Sequence, residues 1–331
     1  MRIIVVGVGA VGGTVAARLV MTGHDVVGVA RGAHGQAIRE HGLRFESPLG
    51  ATTVDLPVVA SVTDIEFDDH DVVLLAVKSH DTTALLDEIR AIAPPAIPIV
   101  CLQNGIDNER QALRRFPNVY GVCVILPADH LEPGLVRLYT APAPGLLDIG
   151  RYPTGTDAMC EAIAEVFRSG GFESVVRPDV MAWKHRKLIL NLANAIEALG
   201  GNFASWPTGG ELVSQVNAEG EAVLAAAGLP VVSAEDDAAR RGDTLTLQRV
   251  GGDKRDGGST KQSLQRGMPV ETDYLNGEIV LLGRLYGVPT PANALLQGLL
   301  AEAAELAAEG HAPTLSEAEI LDILRRQQAA S

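Results

Sequence analysis

Apolar residues follow two different rhythms along this chain, and the change between them divides it. In the first half they come as short continuous runs: IIVV at 3–6, DVVGVA at 25–30, DVVLLAV at 71–77 and IPIVCL at 97–102. Runs this short and this rich in β-formers read as strands of an open parallel sheet. Between the first two lies AVGGTVAARLVM at 10–21, where Val11, Val15, Ala16, Leu19 and Val20 recur at a helical period that closes at Gly23. Residues 119–150 are again β-rich (VYGVCVIL, GLVRLYT, GLLDIG), and 157–169 read as a helix. Around Pro178 the rhythm changes. Beyond it helical periods dominate, apart from GGDKRDGG at 251–258, which reads as a mobile loop ahead of a helix. A chain of 331 residues is also longer than one core usually supports. The expectation is an α/β domain over residues 1–178, with a doubly wound and mostly parallel sheet, followed by an all-α domain over 179–331.

The turn after the first run decides what the first domain holds. Residues 7–13 read GVGAVGG. As the core of a signal peptide the segment fails: Arg2 alone makes a thin basic region, and helix-breaking glycines fall where such a core is most helical. As strand, glycine turn and helix it fits the G-x-G-x-x-G spacing of a dinucleotide site. Gly7 permits the tight turn, Gly9 lets the backbone approach a pyrophosphate, and Gly12 lets the helix pack close on the strand. The N–H groups of the helix start, at Ala10 and Val11, then meet the anion with the positive end of the helix dipole.

Cofactor choice is read at the end of the second run, where an NAD site places an acid about 20 residues after the glycines. Here Arg31 follows Ala30. A guanidinium accepts no hydrogen bond from ribose hydroxyls but suits a 2′-phosphate, so NADP(H) is expected, with a solvated surface arginine as the plain alternative. Just past the third and fourth runs come Lys78, Gln103 and Asn104, at the strand ends where open parallel sheets gather ligands. The plain alternatives are a lysine snorkelling to solvent and an ordinary Asn-Gly turn.

Charge and cysteine content narrow the partners. With 27 basic against 41 acidic residues the formal net charge is −14, which repels nucleic-acid backbones and anionic membranes. No segment is long and apolar enough to span a bilayer. Cys101, Cys123 and Cys160 are odd in number and spaced for neither a disulfide framework nor a zinc site. They read as buried thiols in a cytoplasmic protein without a metal.

The segment AWKHRKLILNLANAIEAL at 182–199 reads as one helix. Leu188, Ile189, Leu192, Ala193 and Ile196 make one side apolar. At about 100° per residue Lys187, Asn191 and Asn194 fall within roughly 60° of arc, with Lys184 just beside them. A solvated stripe is the plain reading, but Asn is a mediocre helix former that offers no ion pair, so an ammonium and two carboxamides on one face suggest a polar ligand. Further on, Ser259, Thr260 and Gln262 precede ETDYLNG at 271–277, where Glu271 either caps a helix start or meets a substrate.

Taken together, GVGAVGG, AVKS, LQNG, KLILN at 187–191, STKQ at 259–262, ETDYLNG and PAN at 291–293 resemble the ketopantoate reductase (2-dehydropantoate 2-reductase) family over nearly the whole chain. The resemblance implies an N-terminal Rossmann domain, an all-helical C-terminal domain and, in the cleft between them, NADPH-dependent reduction of a 2-oxo acid. Ketopantoate, on the way to pantothenate, is the first expectation. It also implies roles. Lys187 matches the catalytic lysine, Asn191 the substrate-contacting asparagine, Asn104 the asparagine near the nicotinamide and Lys78 the lysine that helps close the cofactor site. Ser259 and Glu271 match the substrate-binding serine and the glutamate associated with ketopantoate and the lysine. The family's second helix asparagine usually lies eight residues after the lysine, where this chain has Ala195; Asn194 comes one earlier. The serine motif, usually S-S-M-x-Q-D, reads Gly258-Ser259-Thr260-Lys261-Gln262-Ser263, and Asp256 stands where an asparagine is often found.

Ketone reduction needs a donor for the negative charge that grows on oxygen. Lys187 is the expected general acid, Asn104 and Asn191 the orienting groups, Ser259 a carboxylate contact and Glu271 a partner for the lysine or a substrate hydroxyl. The rival readings are a reductase of another 2-oxo acid or of an imine, and a non-catalytic NADPH sensor. Residues 291–328 offer either a homodimer face or a cover for the core.

Overall fold

Successive residues of the first strand face opposite sides of a sheet, and both sides are dry. Ile3 and Val5 enter one apolar core with Val15, Ala16, Leu19, Ile163 and Phe167, while Ile4 and Val6 enter another with Leu86, Ile89 and Ala112. All four strand residues are at most 1% exposed. Burying each is worth about 1.5–3 kcal/mol, which is why the run carries no polar alternation. The computed structural model describes residues 1–200, 210–242, 245–311 and 314–330.

In chain order the elements are β1 (Arg2–Val6), α1 (Ala10–Met21), β2 (Val26–Val29), α2 (Gly32–His41), β3 (Leu43–Ser47), β4 (Gly50–Val54), β5 (Val58–Val59), β6 (Asp71–Leu75), α3 (Ser79–Ile92), β7 (Ile99–Cys101), α4 (Asn108–Leu113), β8 (Val119–Ile125), β9 (Ala128–Asp129), β10 (Leu135–Leu138), β11 (Thr140–Pro142), β12 (Leu146–Arg151) and α5 (Ala158–Ser169). They continue with α6 (Val180–Leu192), α7 (Asn194–Gly200), α8 (Glu211–Ala226), α9 (Ala234–Arg241), β13 (Leu245–Leu247), α10 (Ser259–Gln265), α11 (Asn276–Tyr286), α12 (Pro291–Ala308) and α13 (Glu317–Ala330).

The main sheet runs β12-β8-β7-β6-β1-β2-β5, parallel throughout except for β12, which pairs antiparallel with β8. From β1 the chain winds outward to β2 and β5, then returns to build β6, β7 and β8 on the other side. The order therefore reverses between β1 and β6. In a Rossmann sheet that reversal opens the ligand crevice at the strands' carboxyl ends. A second sheet, β4-β3-β10-β9, is built from the excursion between β2 and β5 and from the chain after β8.

The chain forms two compact units, Met1–Lys184 with Ser233–Arg255, and His185–Val232 with Asp256–Ser331. The sequence pattern divides the chain after residue 178. In the structure residues 179–184 pack with the first unit and 233–255 return to it. Two contacts bring that return about: Arg240 donates twice to Asp148, at 2.8 and 2.6 Å, and β13 pairs antiparallel with β11. A charged helix and a three-residue strand leave little apolar periodicity to read.

Every described element of the second unit is helical. The helix expected over 182–199 is two: α6 stops at Leu192 and α7 starts at Asn194. At the break the Leu192 carbonyl accepts a hydrogen bond at 3.2 Å from the Asn276 carboxamide, which also donates to Asn293 Oδ1 at 3.0 Å. Asn293 in turn donates to the Val216 carbonyl and to Glu219, whose carboxylate accepts the Ala292 and Asn293 N–H groups at the start of α12. This buried network fastens α8, α11 and α12 to the end of α6. The three cysteines are free and buried, and no helix among the described residues is long and apolar enough to cross a membrane.

Candidate active site

The glycine turn after β1 assigns a different physical task to each glycine. Gly7 has φ +100°, and a Cβ there would lie 2.8 Å from the Val77 amide nitrogen. Gly12 sits so tightly that a Cβ would collide with the Gly7 carbonyl oxygen and lie 2.9 Å from Ala76 Cβ. Gly9, the N-cap of α1, has an ordinary φ of −85° and nothing within 4 Å of where its Cβ would be. Gly7 and Gly12 thus serve the fold, whereas Gly9 keeps a surface open. No side chain caps α1 and its first turn carries no acid, so the N–H groups of Ala10 and Val11 remain donors toward an anion.

Beside this turn is a cavity of about 380 Å³. Gly7, Gly9, Ala30, Arg31, His34, Ser61, Asp81 and Glu88 contribute to its wall, and Ala10, Val11 and Gly12 do not. Arg31 is the N-cap residue of α2, exposed, and its Nη2 lies 3.0 Å from Asp81 Oδ2. His34 is fixed between two backbone groups: its Nδ1 accepts the Gly134 N–H at 2.8 Å, so Nε2 carries the proton donated to the Val8 carbonyl at 2.6 Å. A concave wall with a bare glycine backbone and a guanidinium at the end of β2 fits the adenosine half of a dinucleotide.

Lys78, Gln103 and Asn104 lie past the ends of β6 and β7, outside that wall. Lys78 is the half-buried N-cap residue of α3. Gln103 is turned inward, its Nε2 donating to the Val77 carbonyl at 3.0 Å and to Thr82 at 2.8 Å. The Asn104 carbonyl accepts from Asn108 at 3.0 Å, which fixes the turn that presents its side chain. Beneath this loop is a group the sequence reading missed. Lys184 and Glu109 are 3% and 0% exposed, Nζ stands 2.8 Å from Glu109 Oε1, and the ammonium donates to the Gln103 carbonyl at 2.8 Å and to that of Val122 at 3.3 Å. Burial pushes the Glu109 carboxyl above its ordinary value, against the pull of the Lys184 charge. Lys184 therefore faces inward in the first unit, away from the stripe expected of Lys187 and Asn191. Its spacing from Lys187 gave no sign of this.

In the second unit Lys187 is half-buried on α6, and Asn191 follows it by one turn. Asn191 is 7% exposed, and among the described residues its Nδ2 has no hydrogen-bond partner. The shared arc holds for these two; Asn194 begins α7 beyond the break. Asn194 stands next to Gly258, whose Cβ would lie 3.6 Å from Asn194 Oδ1. Glu197, one turn later, accepts the Gly258 N–H at 2.9 Å. Sequence reading passed over Glu197; its one signal was an acid set among apolar residues in IEAL. Ser259 starts α10, half-buried, one residue past this contact. Lys261, in the same helix, is spent on Asp256 at 2.6 Å. Glu271 is buried and precedes a short 3-10 turn, where its carbonyl accepts the Tyr274 N–H at 3.0 Å.

Comparison with known proteins matches two family models in succession along the chain. Residues 3–154 match the family model described as ketopantoate reductase PanE/ApbA, and 179–305 match that of its C-terminal part. The 2-dehydropantoate 2-reductase of Mesorhizobium japonicum is 30% identical, over 93% of this chain and 98% of its own. That of Pyrococcus horikoshii is 28% identical over 91% and 96%. Among solved structures, a PanE/ApbA family ketopantoate reductase from Ralstonia eutropha superposes with a TM-score of 0.78 at 28% identity, over 93% of this chain and all of its own. With the glycine turn in the first unit, the Lys187–Asn191 pair in the second and both family models matched in order, this chain belongs to the ketopantoate reductase family.

Proposed function

We propose that this protein reduces 2-dehydropantoate to pantoate with NADPH, and that Lys187 is its general acid. A nicotinamide-dependent oxidoreductase is the coarser statement that family membership carries. The observation that carries the finer one is the buried Asn191 carboxamide, whose nitrogen has no partner among the described residues one turn from a half-buried lysine. An orphaned buried donor costs about 1–3 kcal/mol, and a substrate oxygen held there would relieve it.

When bound, NADPH supplies the hydride that reduces the 2-oxo carbon. Gly9 and the N–H groups of Ala10 and Val11 would form the backbone cradle for its pyrophosphate, in the turn that Gly7 and Gly12 make possible, and Arg31 would meet the 2′-phosphate. Lys78 and Asn104 would serve its nicotinamide end, while Gln103, expected there from its place past β7, is turned inward and braces the loop instead. Charge grows on the substrate oxygen as the carbon is reduced, and the Lys187 ammonium stabilises it and hands over a proton. Asn191 and Asn104 orient the carbonyl, Ser259 and Asn194 hold the carboxylate end, and Glu271 takes the lysine or a substrate hydroxyl as partner.

Single-turnover NADPH oxidation with ketopantoate in Lys187→Ala tests this. A loss of about 10²-fold or more is expected for a general acid; near wild-type rates would remove Lys187 from the role. The early position of Asn194, at the head of α7, favours one second reading, a family reductase of a different 2-oxo acid. Turnover across a panel of 2-oxo acids separates the two.

A further inference from the structure

Arg31 is engaged by a carboxylate of its own chain. Its Nη2 reaches Asp81 Oδ2 at 3.0 Å, from the N-cap of α2 to the first turn of α3, and both residues line the cavity beside the glycine turn. Glu88, two turns further along α3, lines it as well. The wall therefore carries two acids against one guanidinium.

We infer that Asp81 is a specificity residue: by holding Arg31 it weakens the site's discrimination between a 2′-phosphate and a 2′-hydroxyl on the adenosine ribose. This rests on the dinucleotide reading of the preceding section. A 2′-phosphate must displace Asp81 from the guanidinium or share it, and it brings its negative charge close to Asp81 and Glu88. A 2′-hydroxyl does neither. It donates a hydrogen bond, and a carboxylate accepts it, as the acid at the end of the second strand does in an NAD site. This chain lacks that acid at 30–32, where it reads Ala-Arg-Gly, but the fold supplies one from the crossover after β6. Arginine at the end of β2 is thus only half of the selector.

The side chains of Arg31 and Asp81 are 73% and 36% exposed, so the competition has the size of a surface ion pair. Removing the Asp81 charge is worth about 1.5- to fivefold in NADPH affinity at low salt and less as screening grows. The test is equilibrium titration of the full-length protein with NADPH and with NADH, followed by nicotinamide fluorescence, in wild type, Asp81→Asn, Arg31→Ala and the double variant. Asp81→Asn should raise the NADPH-to-NADH affinity ratio about 1.5- to fivefold, mainly by tightening NADPH, with a smaller gain when Arg31 is already Ala. An unchanged ratio in Asp81→Asn, with both dinucleotides still bound, overturns the inference. So does a gain just as large in the Arg31→Ala background, because Asp81 would then not act through Arg31. If wild type binds neither dinucleotide, the cofactor reading itself falls, and this inference with it.

Discussion

Lys184 Nζ stands 2.8 Å from Glu109 Oε1 inside the first unit, with both side chains at most 3% exposed. The ammonium also holds the Gln103 carbonyl, so the pair fixes the loop that presents Asn104. A buried pair contributes little over an apolar replacement, whereas removing one partner strands a charge and costs about 3–5 kcal/mol. Lys184→Met should therefore destabilise by about that much in urea titrations, and Lys184→Met with Glu109→Leu should recover most of the loss. The sign with pH follows from Glu109, whose carboxyl burial pushes up from 4.5. A carboxyl with a raised folded value contributes stability that is present below 4.5 and lost as pH rises through the raised value. Without Lys184 to oppose that shift, the variant should lose more stability than wild type on going from acid to neutral pH. Equal pH slopes for the two proteins would show that Glu109 is not held as described.

The two glycines Gly9 and Gly12 should separate binding from folding. A Cβ at Gly12 has nowhere to go, so Gly12→Ala should lower stability by at least the 1–3 kcal/mol typical of overpacking. At Gly9 the backbone already suits an L-residue and the Cβ meets nothing. Gly9→Ala should leave the melting temperature within about 2 °C of wild type while weakening dinucleotide binding about tenfold or more, by filling the space a pyrophosphate would use. Calorimetric melting and cofactor titration of both variants read the two effects. A Gly9→Ala protein that binds as wild type would take that surface out of the cradle.

The strand at residues 3–6, the glycine spacing and the arginine at the end of the second run were legible, because each follows from local residue order. What escaped the sequence was set by partners far along the chain. The break at Ala193 depends on Asn276, 84 positions from the Leu192 carbonyl it takes; a helical period carries no mark of a donor arriving from another helix. Lys184 fell beside the stripe of Lys187 and Asn191 on a helical wheel, yet Glu109 draws it into the first unit. The return of 233–255 to that unit rests on Arg240 meeting Asp148, an ion pair between segments with no shared periodicity. Asp81 escaped for a similar reason, since its meeting with Arg31 spans 50 positions.

Asn276 and Asn293, both buried, share one chain of hydrogen bonds. Asn276→Leu removes two donated bonds and leaves the Leu192 carbonyl and Asn293 Oδ1 without them, so a loss of about 2–4 kcal/mol is expected. Since the same bond fixes the junction that separates Asn191 from Asn194, the residual folded protein should show a raised KM for the oxo acid with cofactor affinity unchanged. Urea titration and steady-state kinetics on the one variant check both. A loss confined to stability would make the network purely structural.

The link between β3 and β10 carries the clearest acid sensitivity. Glu46 accepts from Arg137 at 2.8 Å, is paired with Arg44 as well, and lies directly opposite Arg137 in the parallel register. The Arg137 hydrogen bond, more than the burial that opposes it, holds the Glu46 carboxyl below its ordinary value of 4.5. A carboxyl whose folded value is depressed contributes stability that is fully present above 4.5 and is lost as pH falls through the depressed value. Glu46→Gln should therefore cost about 1–2 kcal/mol at neutral pH, the size of a charge-assisted hydrogen bond that is only partly exposed. That gap should stay constant down to about pH 5 and then close as wild type protonates. Parallel urea titrations at neutral and acid pH measure it. A gap that persists undiminished at about pH 3 would mean that the carboxylate charge contributes nothing to the sheet.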